Sequence, residues 1–241
     1  MISVSIISHG HSKMLPALIE AVLGFSQVSK VILTLNIPES FEFDDERVVL
    51  IRNVQPKGFG SNNNAAFALC DTEYFCIVNP DIMFSQNPFP ALIPVLNNAQ
   101  VGVVAPMVIH PNGKVEDNAR HFTSLSSIFK RHAFRYNDGY QFKASDGPLI
   151  VQWVAGMFML FHSAIYQKIG GFDDQYFLYV EDTDICTRLW LDGFRVLLVP
   201  ASVVIHDTRR QTLKNLRHLR WHVASLFRYF FKYLGRLPKA G

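Results

Sequence analysis

Cysteine is scarce: Cys70, Cys76 and Cys186 are the only three in 241 residues, and no two form a CxxC pair. That spacing excludes a disulfide framework and a zinc cluster, and thiols in apolar or helical contexts read as reduced core residues of a cytosolic chain. Long apolar runs are also missing. The longest, "LIVQWVAGMFMLF", has 13 residues with Gln152 inside it, short of the roughly 20 that a membrane-spanning helix needs. The opening "MISVSIIS" lacks the basic start and small-residue cleavage site of a secretory signal; it reads as a first strand, and secretion is not expected. Internal repeats and low-complexity tracts are absent.

Acidic residues run out near the end. After His206 the chain has nine of its 23 basic residues but only Asp207 of its 20 acids. An acidic body therefore precedes a basic tail, which suits an anionic surface. In that tail Leu213, Leu216, Val223, Leu226, Phe227, Phe230, Phe231 and Leu234 recur at three- and four-residue steps with Arg217, Arg220, Arg228 and Lys232 mostly between them. The pattern predicts a basic amphipathic helix or helix pair. Its apolar face can pack on the body or lie on a membrane surface. Alternation of basic with apolar residues does not favour nucleic acid. The expected division is a body of residues 1–206 and a helical extension of residues 207–241.

Through the first half, short β-rich runs alternate with helical stretches: "ISVSIIS", "KMLPALIEAVLGF", "KVILTLN", "RVVLIRN", "SNNNAAFALC", "YFCIV", "FPALIPVLNN" and "VGVVAPMVI". This predicts an α/β fold with a mixed, mostly parallel sheet flanked by helices. From about residue 110 to 150 the pattern breaks into a polar segment of the length used for lids and binding loops. It resumes with "VQWVAGMFMLF", the helix "SAIYQKIG", the turn "GGFDD", the helix "EDTDICTRLWLDG" and strands within "FRVLLVPASVVIH".

Ligands of open parallel sheets bind beyond the carboxyl ends of the strands. Polar residues stand at four such ends: Ser8 and His9, Asn36, Asn53, and Asn79 with Asp81. Each alone is explained as a turn-forming residue; the four together form a cluster. "PKGFGSNNNAAF" adds a glycine-containing turn into a helix, whose backbone N–H groups can face a phosphate, with Asn62 as a plain helix cap as the simpler reading. It is not GxGxxG, and a nicotinamide fold is not indicated. In "YVEDTDICTRL", Asp184 can pair with Arg188 one turn on, leaving Glu181 and Asp182 at the helix start, where a carboxylate can serve as a general base. His206 closes "SVVIH"; with an aspartate it becomes a member of an oxygen and nitrogen site for Mg²⁺ or Mn²⁺.

The order of these motifs resembles the family 2 glycosyltransferases, inverting nucleotide-sugar enzymes of the GT-A fold, and within them the bacterial rhamnosyltransferase-like branch. The matching pieces are "VSIIS", "KGFGSNNNAAF", "NPDIMF", the block from "WVAGMFMLF" through "GGFDDQYFLYVEDTDICTRLWLDGFRVLLVP", and "VVIH". The resemblance implies that Asp81 of "NPD" and His206 hold Mg²⁺ or Mn²⁺ on the sugar diphosphate, with Asn79 where the family's first acid stands. It implies Asp182 as catalytic base, with Glu181 as the alternative. Ser8, His9, Asn36, Gly58, Phe59, Gly60, Asn63, Asn64, Asn79 and Asp81 would surround the nucleotide-sugar. Trp153, Gly156, Asp173 and Asp174 would shape the sugar and acceptor side. Expected partners are a dTDP- or UDP-sugar and a glycan or lipid-linked glycan, with rhamnose from dTDP-rhamnose as the leading donor, at the cytoplasmic side of a bacterial membrane. A sugar nucleotidyltransferase is the rival enzyme, but "SHGHSK" is a poor substitute for its triphosphate loop. A non-catalytic scaffold is the remaining alternative.

Overall fold

A computed structural model describes residues 1–122, 139–207 and 216–238. Part of the polar segment after residue 110, Leu213 of the tail stripe, and Arg209, Arg210, Lys214 and Lys239 lie outside the described residues.

The strands are β1 (Ile2–Ser8), β2 (Val28–Leu35), β3 (Val48–Arg52), β4 (Tyr74–Val78), β5 (Ile82–Met83), β6 (Val101–Ile109), β7 (Ala119–Arg120), β8 (Leu149–Val151), β9 (Trp153–Val154), β10 (Phe158–His162) and β11 (Arg195–His206). The described helices are α1 (Leu15–Leu23), α2 (Phe59–Phe67), α3 (Phe89–Leu96), α4 (Ser163–Lys168), α5 (Glu181–Leu191) and α6 (Leu216–Lys232). The main sheet runs β3-β2-β1-β4-β10-β6-β11-β5, with β8 on β11. Strands β1, β2, β3 and β4 are parallel to one another, as are β6 and β11, and β10 is antiparallel between the two groups. β7 and β9 form a separate antiparallel pair.

Period-two alternation sends neighbouring residues to opposite faces of the sheet, and here both faces are covered. Ile2, Val4 and Ile6, with Leu33, Cys76, Val78 and Leu160, pack with α1 and α3 through Leu15, Ile19, Phe89 and Leu92. Ile32, Phe75, Ile77, Val103, Met159 and Phe161 pack on the other side against Ala66 of α2, Tyr166 of α4, and Ile185, Cys186 and Leu189 of α5. Burying each such large side chain is worth roughly 1.5–3 kcal/mol, so the two faces give the strand ends a rigid frame. The uninterrupted "LIVQWVAGMFMLF" becomes three strands, β8, β9 and β10, because Gln152 and the Ala155–Met157 turn divide it. The three cysteines are free thiols, with Cys76 and Cys186 buried. Among the described residues no helix is long and apolar enough to cross a membrane.

Candidate active site

The end of β4 turns through Asn79, Pro80 and Asp81 into the two-residue strand β5, which pairs antiparallel with the last residues of β11, His206 opposite Ile82. The backbone N–H of Asp207 also donates to the carbonyl of Asp81 at 3.0 Å. This pairing fixes the Asp81 carboxylate beside His206: Oδ2 lies 3.2 Å from Nε2. The other ring nitrogen, Nδ1, lies 2.8 Å from Oε2 of Glu116. Burial alone would lower the His206 pKa, but the hydrogen bonds to Asp81 and Glu116 outweigh it and raise it above the ordinary histidine value.

Asp81 Oδ1 is buried with no hydrogen-bond partner. An orphaned carboxylate oxygen beside an imidazole nitrogen, with the far nitrogen tied to a second carboxylate, fits the way proteins hold a divalent cation. No group of three or more His, Cys, Asp or Glu that could by itself enclose a metal occurs among the described residues. The imidazole spends one nitrogen on Glu116, so Asp81 and His206 are two donors, a number suited to a cation that also takes substrate phosphates and water.

The second carboxylate centre begins with strained backbone. Tyr179 and Val180 both have positive φ, 72° and 69°, a left-handed conformation that a β-branched residue rarely adopts and that costs about 1–3 kcal/mol per residue. The two residues turn the chain into α5 so that Glu181 and Asp182 occupy its first turn. Asp182 Oδ2 accepts the N–H of Gly156 at 3.1 Å and Oδ1 accepts the N–H of Thr183 at 2.7 Å. Glu181 is 5% exposed, and its Oε2 has no partner. Burial raises the pKa of Glu181 well above the usual carboxylate range, and the charge of Asp182 adds to it. Asp182 is also raised by burial, but the two N–H bonds and the positive charge of Arg120 act against the rise.

One short turn joins the two centres. Ala155 donates its N–H to the carbonyl of Asn118, Gly156 donates to Asp182, and the carbonyl of Met157 accepts the N–H of Asn79. Gly156 is closely packed there: a Cβ would press on the Phe59 ring at 3.2 Å and touch Asp182 Cβ at an ordinary 3.6 Å.

Other expected site residues are placed differently. Asn63 is fully buried, accepts from Ser5 Oγ and donates to the Phe59 carbonyl. Asn64 binds Tyr166 Oη, both backbone groups of Phe172 and the Asp174 carboxylate. Both amides are engaged by protein groups. A Cβ on Gly58 would meet the carbonyls of Tyr176 and Phe177 below 3.0 Å, and one on Gly60 would meet Phe172 Cβ at 2.7 Å; these glycines admit the 172–177 loop. Phe59 donates its N–H to the Phe177 carbonyl and packs its ring against Phe172. Asn62 is not a cap. It lies inside α2, bonded to the Lys57 carbonyl and to Asn53, which in turn donates to Asn36.

Asn36 also holds the Lys57 peptide from both sides and contacts His9 Nδ1, so its amide is fully engaged. Ser8 Oγ donates to the carboxylate of Glu39, which also accepts the N–H groups of Gly10 and Ser12. Trp153 donates from Nε1 to the His121 carbonyl, with Arg120 over its ring at 5.7 Å. Asp173 is paired with Lys232 of α6 at 2.6 Å and lines a surface cavity of about 570 Å³ with Gln175, Arg228 and Phe231, on the α6 side of its loop. Glu116, Arg120 and Glu39 are functional candidates that sequence reasoning missed.

The family model described as "Glycosyltransferase like family 2" matches residues 29–224. The chain belongs to that family. The glycosyltransferase is 27% identical to the rhamnosyltransferase WbbL of Escherichia coli over 95% of its own length and 92% of the relative's. It is 26% identical, over 64% of its length and 54% of the relative's, to the N-acetylglucosaminyl-diphospho-decaprenol L-rhamnosyltransferase of Mycobacterium tuberculosis. These relatives place it in the rhamnosyltransferase-like branch. Its fold is that of GalNAc-T7, solved with UDP, GalNAc and Mn²⁺ (TM-score 0.68, 13% identity, 94% of this chain and 47% of that one). It is likewise that of the mannosyltransferase PcManGT of Pyrobaculum calidifontis, solved with GDP-Man and Mn²⁺ (TM-score 0.62, 14% identity, 94% and 64%). The expected GT-A architecture and glycosyltransferase class both stand.

Proposed function

We propose that the chain is an inverting, cation-dependent rhamnosyltransferase, moving rhamnose from dTDP-rhamnose to a hydroxyl of a lipid-linked or polysaccharide acceptor during bacterial surface-glycan synthesis at the cytoplasmic side of the membrane. The observation that carries this reading is the 155–157 turn, which ties a base-like carboxylate at Asp182 to the strand end bearing Asp81 and His206. A displacement that inverts the anomeric carbon needs charge neutralised at the leaving group on one side and a proton removed from the nucleophile on the other. The names of the two bacterial relatives support the donor sugar, and the mycobacterial relative's name supports a lipid-diphosphate acceptor.

Asp81 and His206 would hold Mg²⁺ or Mn²⁺, which when bound supplies charge neutralisation for the nucleotide diphosphate as it departs. Asp182 takes the proton of the acceptor hydroxyl. Its two N–H bonds aim the carboxylate and keep it easier to ionise than Glu181, whose burial and neighbouring charge favour the protonated form. Arg120 adds a positive charge near Asp182 that favours the ionised base. Ser8, His9, Asn36, Asn79 and the 57–60 loop form the nucleotide side through their backbone and the surface they shape, with Asn63 and Asn64 supporting that loop from below. Trp153 and the 172–174 loop form the acceptor side.

The test is a transfer assay on purified protein with Mn²⁺, a lipid-linked glycan acceptor, and a panel of dTDP-, UDP- and GDP-sugars, reading nucleotide diphosphate release and glycan mass. Rhamnose addition from dTDP-rhamnose alone is the expected result. Transfer only from a UDP-sugar replaces the donor assignment, and sugar-nucleotide formation from a triphosphate overturns the reaction class.

A further inference from the structure

Helix α6 carries two unlike faces. The inward face is fastened to the catalytic body: Ser225 Oγ donates to the Leu178 carbonyl, Tyr229 Oη bonds Thr187 Oγ1 at 2.8 Å, Tyr233 Oη donates to Asp184, and Lys232 bridges Asp184 and Asp173. The outward face is apolar and exposed, with none of the described residues covering it. Leu216 is 79% exposed, Leu219 59%, Val223 43%, Phe227 60%, Phe231 78% and Leu234 77%. Because the opposite face is held by specific bonds, the helix cannot roll to bury these six side chains without losing its contacts with α5 and the 172–180 loop.

Along the helix the stripe advances by steps of three, four, four and four residues, a mean of 3.75, and Leu234 follows in the turn after Lys232. That is close to the 3.6 residues per turn of a straight α-helix, so the first five residues form one stripe along it, roughly 23 Å long at 1.5 Å per residue. A coiled-coil seam follows 3.5 residues per turn; from Leu216 one register runs through Leu219, Val223, Leu226 and Phe230 to the buried Tyr233, and the other runs through Val223, Phe227 and Phe230 but sets the exposed Arg220 in the seam. A straight apolar line matches a flat surface better than a partner helix. Its charge selects the surface: residues 208–241 contain no acid, and Arg217, Arg220, Arg228 and Arg236 are exposed along α6 and its end. Basic groups beside an interfacial apolar face are each worth about 1 kcal/mol against an anionic leaflet.

We infer that α6 docks the enzyme on an anionic lipid bilayer, lying in the plane of the interface with Leu216, Leu219, Val223, Phe227, Phe231 and Leu234 inserted among the acyl chains. The same helix stacks His222 on Tyr179 and places His218 Nδ1 2.9 Å from the Tyr179 hydroxyl. The strained turn that presents Glu181 and Asp182 is therefore braced by the membrane-bound element, and docking holds that turn close to the leaflet.

Vesicle flotation of the full chain tests this, with phosphatidylcholine vesicles and with phosphatidylcholine containing phosphatidylglycerol, at low and high salt, and with molecular mass measured in parallel. The chain should float with phosphatidylglycerol vesicles and much less with neutral ones. The double variant Phe227→Ser/Phe231→Ser, at exposed positions, should keep its thermal midpoint and lose binding by about ten-fold or more, given the ~0.8 kcal/mol per inserted methylene. If that variant is unstable, Arg220→Glu provides the second reading, with reduced binding to anionic vesicles only. Equal flotation by the variants and the parent overturns the inference. So does a stable dimer, unaffected by vesicles, that dissociates on the double substitution, because a second copy then covers the stripe. Flotation needs no donor sugar, so its failure leaves the transfer chemistry untouched.

Discussion

The backbone N–H of Gly156 donates to Oδ2 of Asp182 across 3.1 Å, while the next residue, Met157, accepts from Asn79. Two neighbouring residues thus set the separation between the helix that bears Asp182 and the strand end that bears Asp81. Gly156→Ala should press on the Phe59 ring, which has to yield by a few tenths of an ångström, while Asp182 Cβ lies at ordinary contact distance. We expect kcat to fall by less than the roughly 100-fold of a 1 Å misplacement, with a stability loss of about 1 kcal/mol from overpacking. Steady-state kinetics and urea denaturation on the same preparation separate the two effects.

Glu116 holds the far side of His206 at 2.8 Å. Glu116→Gln keeps the shape and removes the charge that orients the imidazole. Mn²⁺-dependent binding of a nucleoside diphosphate, followed by calorimetry, should weaken by about 10–100-fold, whereas Mn²⁺-independent binding should change little. An unchanged Mn²⁺ dependence would remove Glu116 from the site.

Glu181 is a buried acid with an unpartnered oxygen, and its pKa is raised, chiefly by burial. A raised carboxyl pKa means that the folded state binds its proton more tightly than the unfolded state. The resulting stabilisation is present at low pH and is lost as pH rises from the ordinary carboxylate range through the folded value. Glu181→Gln should therefore melt higher than the parent at pH 7, and the difference should shrink as pH is lowered toward about 4. Thermal melts across that range check the sign; a variant less stable at pH 7 would show that the ionised carboxylate has a partner.

Asp184 is fully buried among Arg188, Lys232, Tyr233 and Tyr176. It is the junction between α5 and α6, and Asp184→Asn leaves two cations facing a neutral amide. A loss of about 3–5 kcal/mol, the usual cost of breaking a buried pair, is expected in chemical denaturation. A loss under about 1 kcal/mol would match a solvent-exposed pair instead and contradict the junction.

The layered sheet, the acidic helix start at Glu181 and Asp182, and the polar strand ends at Asp81 and His206 were legible because apolar periodicity marks strands and an acid or histidine at the end of a buried run is conspicuous; that Asp81 and His206 meet was implied by the family resemblance. Glu116 was not, since it lies in "HPNGKVED", a polar turn where an acid has no contrast with its neighbours; the pairing of Val115 with Ile109 and of Glu116 N–H with Val108 carries it back to the site. The glycines and asparagines of "GFGSNNN" carry a second demand that the sequence does not show, because close approach by a protein loop calls for the same residues as close approach by a phosphate. Nothing in the sequence signals that Asp173 engages Lys232, 59 residues away, or that Asp174 engages Asn64.

The central claim is that Asp182 is the base, and Asp182→Asn tests it most directly. Single-turnover transfer should fall by about 10²–10⁴-fold, the usual contribution of a positioned base, with nucleotide-sugar affinity and fold preserved, while Glu181→Gln retains transfer. In the parent, kcat/KM should rise with pH through a pKa above the ordinary aspartate value, the direction set by burial of Asp182, and that limb should vanish in Asp182→Asn. Full transfer by Asp182→Asn, or an unchanged acidic limb, would contradict the account.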